Sequence, residues 1–156
     1  MKTRTALASL VAFFAGLAMC LAAEPHIGMW KLNEAMSKFS PGATKNTTVV
    51  YEIVGSGDNV KIVVDGTDKD GKPIHSEWTG KFDGKDYPVT GSAVEDARAY
   101  TKIDDRTVDF ASKKGGKVNL TGRVVVSADG KTRTVTATAT DSSGKKVQNT
   151  AAYDKQ

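Results

Sequence analysis

The chain has 156 residues, 39% of them hydrophobic and 26% charged, with a formal net charge of +4. This length and balance fit one globular domain and exclude a disordered or collagen-like chain. The single cysteine, Cys20, excludes an intrachain disulfide framework and any cysteine-rich zinc module.

Lys2 and Arg4 open the chain, and an apolar run from Ala6 to Ala23 follows, interrupted by Ser9 and Gly16. A basic start, an apolar middle and small residues at the end form the pattern of a secretory signal peptide. Residues 1–23 are therefore expected to be removed, with cleavage after Ala22 or Ala23, leaving 24–156 as one domain. An uncleaved anchor is the rival, since the run just reaches across a bilayer; its alanine content and the lack of a basic stop-transfer cluster favour cleavage. The expected location is secreted or periplasmic, with no membrane span after cleavage. Leu17-Ala18-Met19-Cys20 resembles a bacterial lipobox, but Met19 is bulky where that motif wants a small residue, which leaves lipidation of Cys20 as the minor alternative. Loss of Lys2 and Arg4 takes the basic count from 22 to 20 against 18 acids, a net charge of +2. The remaining lysines are scattered over turns without forming a stripe, so no nucleic-acid partner is implied.

Beyond residue 23 the chain holds 15 Val and 15 Thr but only two Leu, Leu32 and Leu120. Side chains stiff at χ1 suit a pleated surface, whereas a helical core would draw on leucine. The first strand is expected around Gly28–Leu32. Glu34-Ala35-Met36-Ser37-Lys38-Phe39 then predicts a short helical turn, ended by Pro41-Gly42. Next come Val49, Tyr51 and Ile53 on one strand face and Val60, Ile62 and Val64 on another. Ile74, Ser76, Trp78, Gly80 and Phe82 alternate with His75, Glu77, Thr79 and Lys81. Later, Val118, Leu120, Gly122, Val124 and Val126 share a face, and Arg133, Val135, Ala137 and Ala139 oppose the ladder Thr132 to Thr140. Glycine turns separate these runs, among them Asp70-Gly71, Asp83-Gly84, Gly115-Gly116, Asp129-Gly130 and Ser143-Gly144. Alternation punctuated by such turns predicts an all-β, up-and-down antiparallel meander of 8–10 strands, long enough to close into a barrel.

Gly28-Met29-Trp30-Lys31-Leu32 resembles the G-x-W opening of lipocalins and fatty-acid-binding proteins. The chain from Gly28 to Gln156 more specifically resembles a group of small exported bacterial lipocalin-like proteins. It shares their G-x-W-K-L-N start, the S-K-F-S-P-G loop at Ser37–Gly42, the F-D-G-K-D-Y-P-V-T-G segment at Phe82–Gly91 and the Tyr153–Gln156 ending. The resemblance implies a lipocalin-like barrel, with Gly28 and Trp30 in a structural role under its closed end. It brings no settled biochemical role. Two departures stand out: a T-D-Y motif is missing, and the final strand lacks the arginine that packs on the opening tryptophan in lipocalins. Lys155 is the candidate to cover that indole by a cation–π contact.

Catalytic signals are sparse. His75 and Glu77 share a strand face, yet two ligands do not define a metal site, and a solvated polar face is the simpler reading. His26, beside the expected cleavage point, is expected to be flexible. No G-x-S-x-G elbow occurs, and Gly55-Ser56-Gly57 belongs to a hairpin rather than a phosphate loop. The expectation is a monomer that is not an enzyme and needs no metal or cofactor. The remaining candidate is a barrel interior that takes a small, largely apolar molecule. Its lining is drawn from Tyr51, Ile62, Trp78, Tyr100, Phe110, Arg133 and Val135, with Arg133 placed to meet a carboxylate at the mouth. Tyr100 shares its alternation with Arg98 and Lys102, which leaves an outward orientation open. The rival is an envelope interaction protein, a filled barrel or β-sandwich using its threonine ladder. A metal-assisted enzyme at His75 and Glu77 is the third reading.

Overall fold

A computed structural model describes residues 24–140 and 143–156. The expected signal segment 1–23, Cys20 and its lipobox included, lies outside the described residues, as do Asp141 and Ser142 of the last turn.

The alternating runs resolve into ten strands. These are β1 (Gly28–Lys38), β2 (Lys45–Ile53), β3 (Val60–Thr67), β4 (Pro73–Gly80), β5 (Asp83–Thr90), β6 (Ala97–Asp104), β7 (Thr107–Lys114), β8 (Lys117–Val126), β9 (Thr132–Thr140) and β10 (Lys146–Lys155). Every strand pairs antiparallel with its sequence neighbours, and β1 pairs with β10, so the meander closes and no edge is left unpaired. The result is a closed, all-β, ten-stranded up-and-down antiparallel barrel, the architecture that the strand alternation predicts. The tight turn at Gly115-Gly116, with φ of 56° and 75°, is the two-residue hairpin whose positive dihedrals match the twist of the flanking strands.

Two local expectations are corrected. No helical turn follows the first strand: residues 34–38 remain in β1. The register there runs from Asn33↔Ala152 to Lys38↔Thr150, so β1 carries extra residues as a bulge. Asn33 and Ser37 satisfy the backbone that this frees. Met36 N–H donates to Asn33 Oδ1 (3.3 Å), and Ser37 Oγ accepts from Ala152 N–H (2.9 Å) while donating to the Asn33 carbonyl (2.7 Å). Pairing with β10, which closes the barrel, outweighs a weak local helix preference. The second correction concerns Gly84, which lies inside β5 at a register shift between Asp83 and Asp86, the reversal falling at Lys81-Phe82 instead.

In a meander, successive connections alternate between the two ends of the barrel. At the end holding the β2–β3, β4–β5, β6–β7 and β8–β9 connections, residues 24–27 form a plug. The Trp30 indole N–H donates to the His26 carbonyl (2.9 Å), Lys155 Nζ reaches the Pro25 carbonyl (3.4 Å), and Lys102 lies 3.6 Å from Glu24. His26, expected to be flexible, is instead packed into this end. It is 1% exposed, with its ring 6.4 Å from that of Tyr51 and 6.1 Å from that of Phe82. Trp30, Ile62, Trp78, Val108, Val124 and Val126 pack this end solidly.

Candidate functional site

Above the packed end the barrel is hollow. A cavity of about 500 Å³ runs from Arg133, Tyr51 and Tyr153 up to a mouth bordered by Phe39, Ala43, Thr44, Thr140 and Asn149. The hollow follows from β9, where Val135, Ala137 and Ala139 present small side chains inward and leave the wall unfilled. Two asparagines hold the rim. Asn149 Oδ1 accepts from Ser40 N–H (2.7 Å), and Asn119 Nδ2 donates to the Val94 carbonyl (2.7 Å).

Arg133 is 2% exposed at the cavity floor, not at the mouth as the sequence suggested. Its guanidinium carbon lies 4.9 Å from the ring centre of Trp30, 4.8 Å from that of Tyr51 and 4.7 Å from that of Tyr153. Three aromatic faces around one cation offset part of its desolvation. They supply no hydrogen-bond acceptor, and Nε and Nη1 have no partner among the described residues. Buried polar groups are seldom left unpaired, so two free guanidinium donors beside a cavity are an invitation to a ligand oxygen.

A second arginine in the wall is fully engaged. Arg98 forms an ion pair with Glu95 through both Nε and Nη2, and also donates to Ser112 Oγ (3.2 Å) and the Tyr100 hydroxyl (3.1 Å). The nearby phenols are neutral: burial pushes Tyr153 up to about 12, against the opposing Arg133, and burial raises Tyr100 as well. His26, behind Tyr51, is held neutral because burial, then Arg133, Lys102 and Lys155, push it down to about 4, against Asp104. With Arg98 cancelled by Glu95, the described lining of the cavity carries a single unbalanced positive charge, that of Arg133.

Of the candidates read from sequence, Tyr51, Tyr100, Phe110, Arg133 and Val135 line the cavity. Tyr100 points inward and is 3% exposed, its ring 5.8 Å from that of Phe110. Ile62 and Trp78 do not line it. Both are buried below the cavity or behind its wall, Trp78 packed 4.9 Å from Tyr100 with its indole N–H donating to the Arg98 carbonyl (2.8 Å). Trp30 is buried at the closed end, with Lys155 Nζ 5.1 Å from the indole centre and Gly28 at φ 126° beside the Lys155 stem. Sequence reasoning missed Tyr153, Glu95 and Arg98. The Tyr153 register opposite Arg133 in the last hairpin was the available signal.

His75 faces outward. Its Nδ1 lies 2.7 Å from Asp65 Oδ1 and its Nε2 3.5 Å from Glu77 Oε1, while Glu77 pairs with Lys61 (2.9 Å). Both ring nitrogens are thus occupied in a surface ladder across β3 and β4. The threonine ladder of β9 also faces outward, where Thr134, Thr136 and Thr138 border a shallow groove of about 830 Å³ beside the Arg123–Asp109 pair (2.6 Å).

No family model matches the chain, and no curated protein does. Among solved structures, the chain is similar to a redesigned β-barrel, mFAP1, bound to DFHBI. The two are 17% identical, with 84% of this chain and 95% of that chain covered and a TM-score of 0.44. It is also similar to EF1p2_mFAP2b bound to DFHBI, at 13% identity, with 86% and 97% covered and a TM-score of 0.47.

Proposed function

We propose that this protein is an exported, non-catalytic, monomeric barrel of the lipocalin-like kind that binds a small molecule with an apolar body and a carboxylate end. One observation carries the reading: a cavity of about 500 Å³ whose floor holds a buried arginine with two unpartnered donors. That volume lies inside the range of small-molecule sites, about 300–1,000 Å³. The apolar body packs along Val49, Val64, Leu120, Val135 and Ala137. The carboxylate accepts hydrogen bonds from Arg133 and balances the charge that the Glu95–Arg98 pair leaves over. The signal-peptide pattern of residues 1–23 and the motif resemblance support export and the grouping. The sparse catalytic chemistry of the sequence supports a carrier or scavenger role.

Native mass spectrometry of protein purified from its own host tests the proposal, paired with displacement of an environment-sensitive fluorescent carboxylate from the stripped protein. A bound species or saturable uptake is expected, with the carboxylate favoured over the alcohol of the same chain. Protein that arrives empty and takes up neither probe would sink the reading in favour of an envelope partner docked on the outer threonine groove.

A further inference from the structure

Seven of the lysines that look scattered along the sequence gather on one side of the mouth end. The mouth end bears the β1–β2, β3–β4, β5–β6, β7–β8 and β9–β10 connections. Lys38 and Lys45 flank the first of these, Lys113, Lys114 and Lys117 the fourth, and Lys145 and Lys146 close the fifth. Around the barrel the strands run β2, β1, β10, β9, β8, β7, so these three connections are neighbours and form one arc over six of the ten strands. Within the connections of the arc the sequence places one acid, Asp141. The other acids of the mouth-end connections, Asp68, Asp70, Glu95 and Asp96, sit on the β3–β4 and β5–β6 connections, the first of which also carries Lys69 and Lys72, while Asp58, Asp104, Asp105 and Asp129 belong to the closed end.

Two of the arc lysines are tied down the outer wall, Lys45 to Glu34 (2.6 Å) and Lys113 to Asp86 (2.6 Å). Lys38, Lys114, Lys117 and Lys146 are exposed and make no ion pair among the described residues. Exposed aliphatic side chains share the rim. Met36, in the bulge of β1, is 70% exposed, and Val118, next to Lys117, is 54% exposed. Val94, 69% exposed, is fastened to this side by the Asn119 bond to its carbonyl.

We propose that this rim docks on an anionic lipid surface, lysines at the headgroups and Met36, Val94 and Val118 reaching below them. Unpaired lysines gather at a negatively charged surface, and apolar side chains beside them add burial at the interface. A nucleic acid fits less well, because the exposed large hydrophobic side chains among the described residues are all aliphatic and give bases no ring to stack on. The docked orientation turns the cavity mouth, inside the arc, toward the bilayer. The docking does not depend on what fills the cavity.

Co-sedimentation of the purified protein with vesicles tests this, using phosphatidylcholine alone or mixed with phosphatidylglycerol. The protein is expected to pellet with the anionic vesicles, to stay in solution with the neutral ones, and to be released by high salt. Lys114→Glu/Lys117→Glu should weaken partitioning by about tenfold or more, whereas Lys85→Glu at the closed end should leave it unchanged. Met36→Ser/Val118→Ser should weaken it while keeping the salt dependence. All these positions are exposed, and probe uptake measured in solution without vesicles reports separately on fold and cavity. Absence from anionic vesicles, equal pelleting with neutral ones, an equal loss with Lys85→Glu, or tighter binding to duplex DNA would each overturn the proposal.

Discussion

The Arg133 guanidinium carbon stands 4.9 Å from the centre of the Trp30 indole, and the Lys155 ammonium stands 5.1 Å from the same ring. The opening tryptophan is thus attended by two cations with different surroundings. Lys155 also reaches the Pro25 carbonyl, whereas Arg133 keeps Nε and Nη1 without a partner among the described residues. Lys155 serves the closed end, and Arg133 has hydrogen-bonding capacity to spare on the side of the cavity.

Arg133→Met should separate these roles. A buried cation without a counter-ion is costly, and apolar replacements of similar size are often neutral or stabilising. The thermal midpoint is therefore expected to hold or rise despite the loss of three cation–π contacts. Affinity for a carboxylate probe should fall by roughly 10- to 100-fold, the worth of a charge-assisted hydrogen bond, while the matching alcohol is unaffected. Paired displacement titrations of the two probes check this. Equal losses for both would make Arg133 a packing element only.

His26 should make the barrel acid-sensitive from the ordinary histidine range downward. Burial first, then Arg133, Lys102 and Lys155, hold its ring at about 4, against Asp104, while the unfolded chain keeps it near the ordinary 6.5. Between those values the unfolded state binds more protons, so stability rises with pH across the window and is lost as pH falls. The expected loss from pH 7 to pH 4 is roughly 3 kcal/mol. Two aspartates act lower. Asp104, held down by the Arg106 N–H, and Asp109, held down by Arg123, lose their contribution as pH falls below their ordinary values near 3.8. Urea unfolding at a series of pH values measures the slope, and His26→Phe should flatten it between pH 6.5 and 4.

Strand count, closure and the inward face of β9 were legible because period-two alternation and glycine turns are local signals, and Arg133-x-Val135-x-Ala137-x-Ala139 carries both a charge and a void. The depth of Arg133 was not legible. Depth depends on which end β9 enters from and on what closes that end, namely Trp30 and the His26 plug from the far side of the chain. Tyr100 and Arg98 were ambiguous for a similar reason. An inward arginine reads as an outward one until Glu95, from the preceding loop, is seen to neutralise it. The bulge at Asn33–Lys38 was read as a helical turn because its stabilising partner, β10, lies more than a hundred residues away. The lysine arc needs the alternation of connections between ends, a property of the closed meander that is absent from any single turn.

Gly122→Ala should couple a packing fault to the cavity. A Cβ there would lie 2.5 Å from Phe110 Cζ and 2.5 Å from the Thr136 carbonyl oxygen. The ring can swing, but the backbone oxygen belongs to the β9 ladder and cannot retreat without cost. A destabilisation of about 1–3 kcal/mol is expected from this overpacking. Phe110, displaced toward the cavity it lines, should also reduce probe uptake. Stability and uptake falling together would bear this out, and unchanged uptake would place the adjustment in the backbone instead.

Ala137→Leu and Ile62→Ala should separate binding from stability, the first lowering affinity and the second lowering stability. Ala137 lines the hollow wall of β9, so a leucine there grows into space that no protein atom occupies. Added methylenes buried at about 0.8 kcal/mol each favour the folded state, and no neighbour has to shift to admit them. The thermal midpoint should hold or rise, while probe affinity drops by tenfold or more, an estimate that follows from losing roughly 1.4 kcal/mol of apolar contact and room. Ile62 lies 1% exposed in the packed end and outside the cavity lining. Truncation there leaves an unfilled core site and should cost about 2–5 kcal/mol, with affinity per folded molecule preserved. Thermal unfolding and probe titration on the two variants give four readings. A filled barrel predicts otherwise: Ala137→Leu would then be destabilising by overpacking, and neither variant would alter a binding signal, since there would be none to alter.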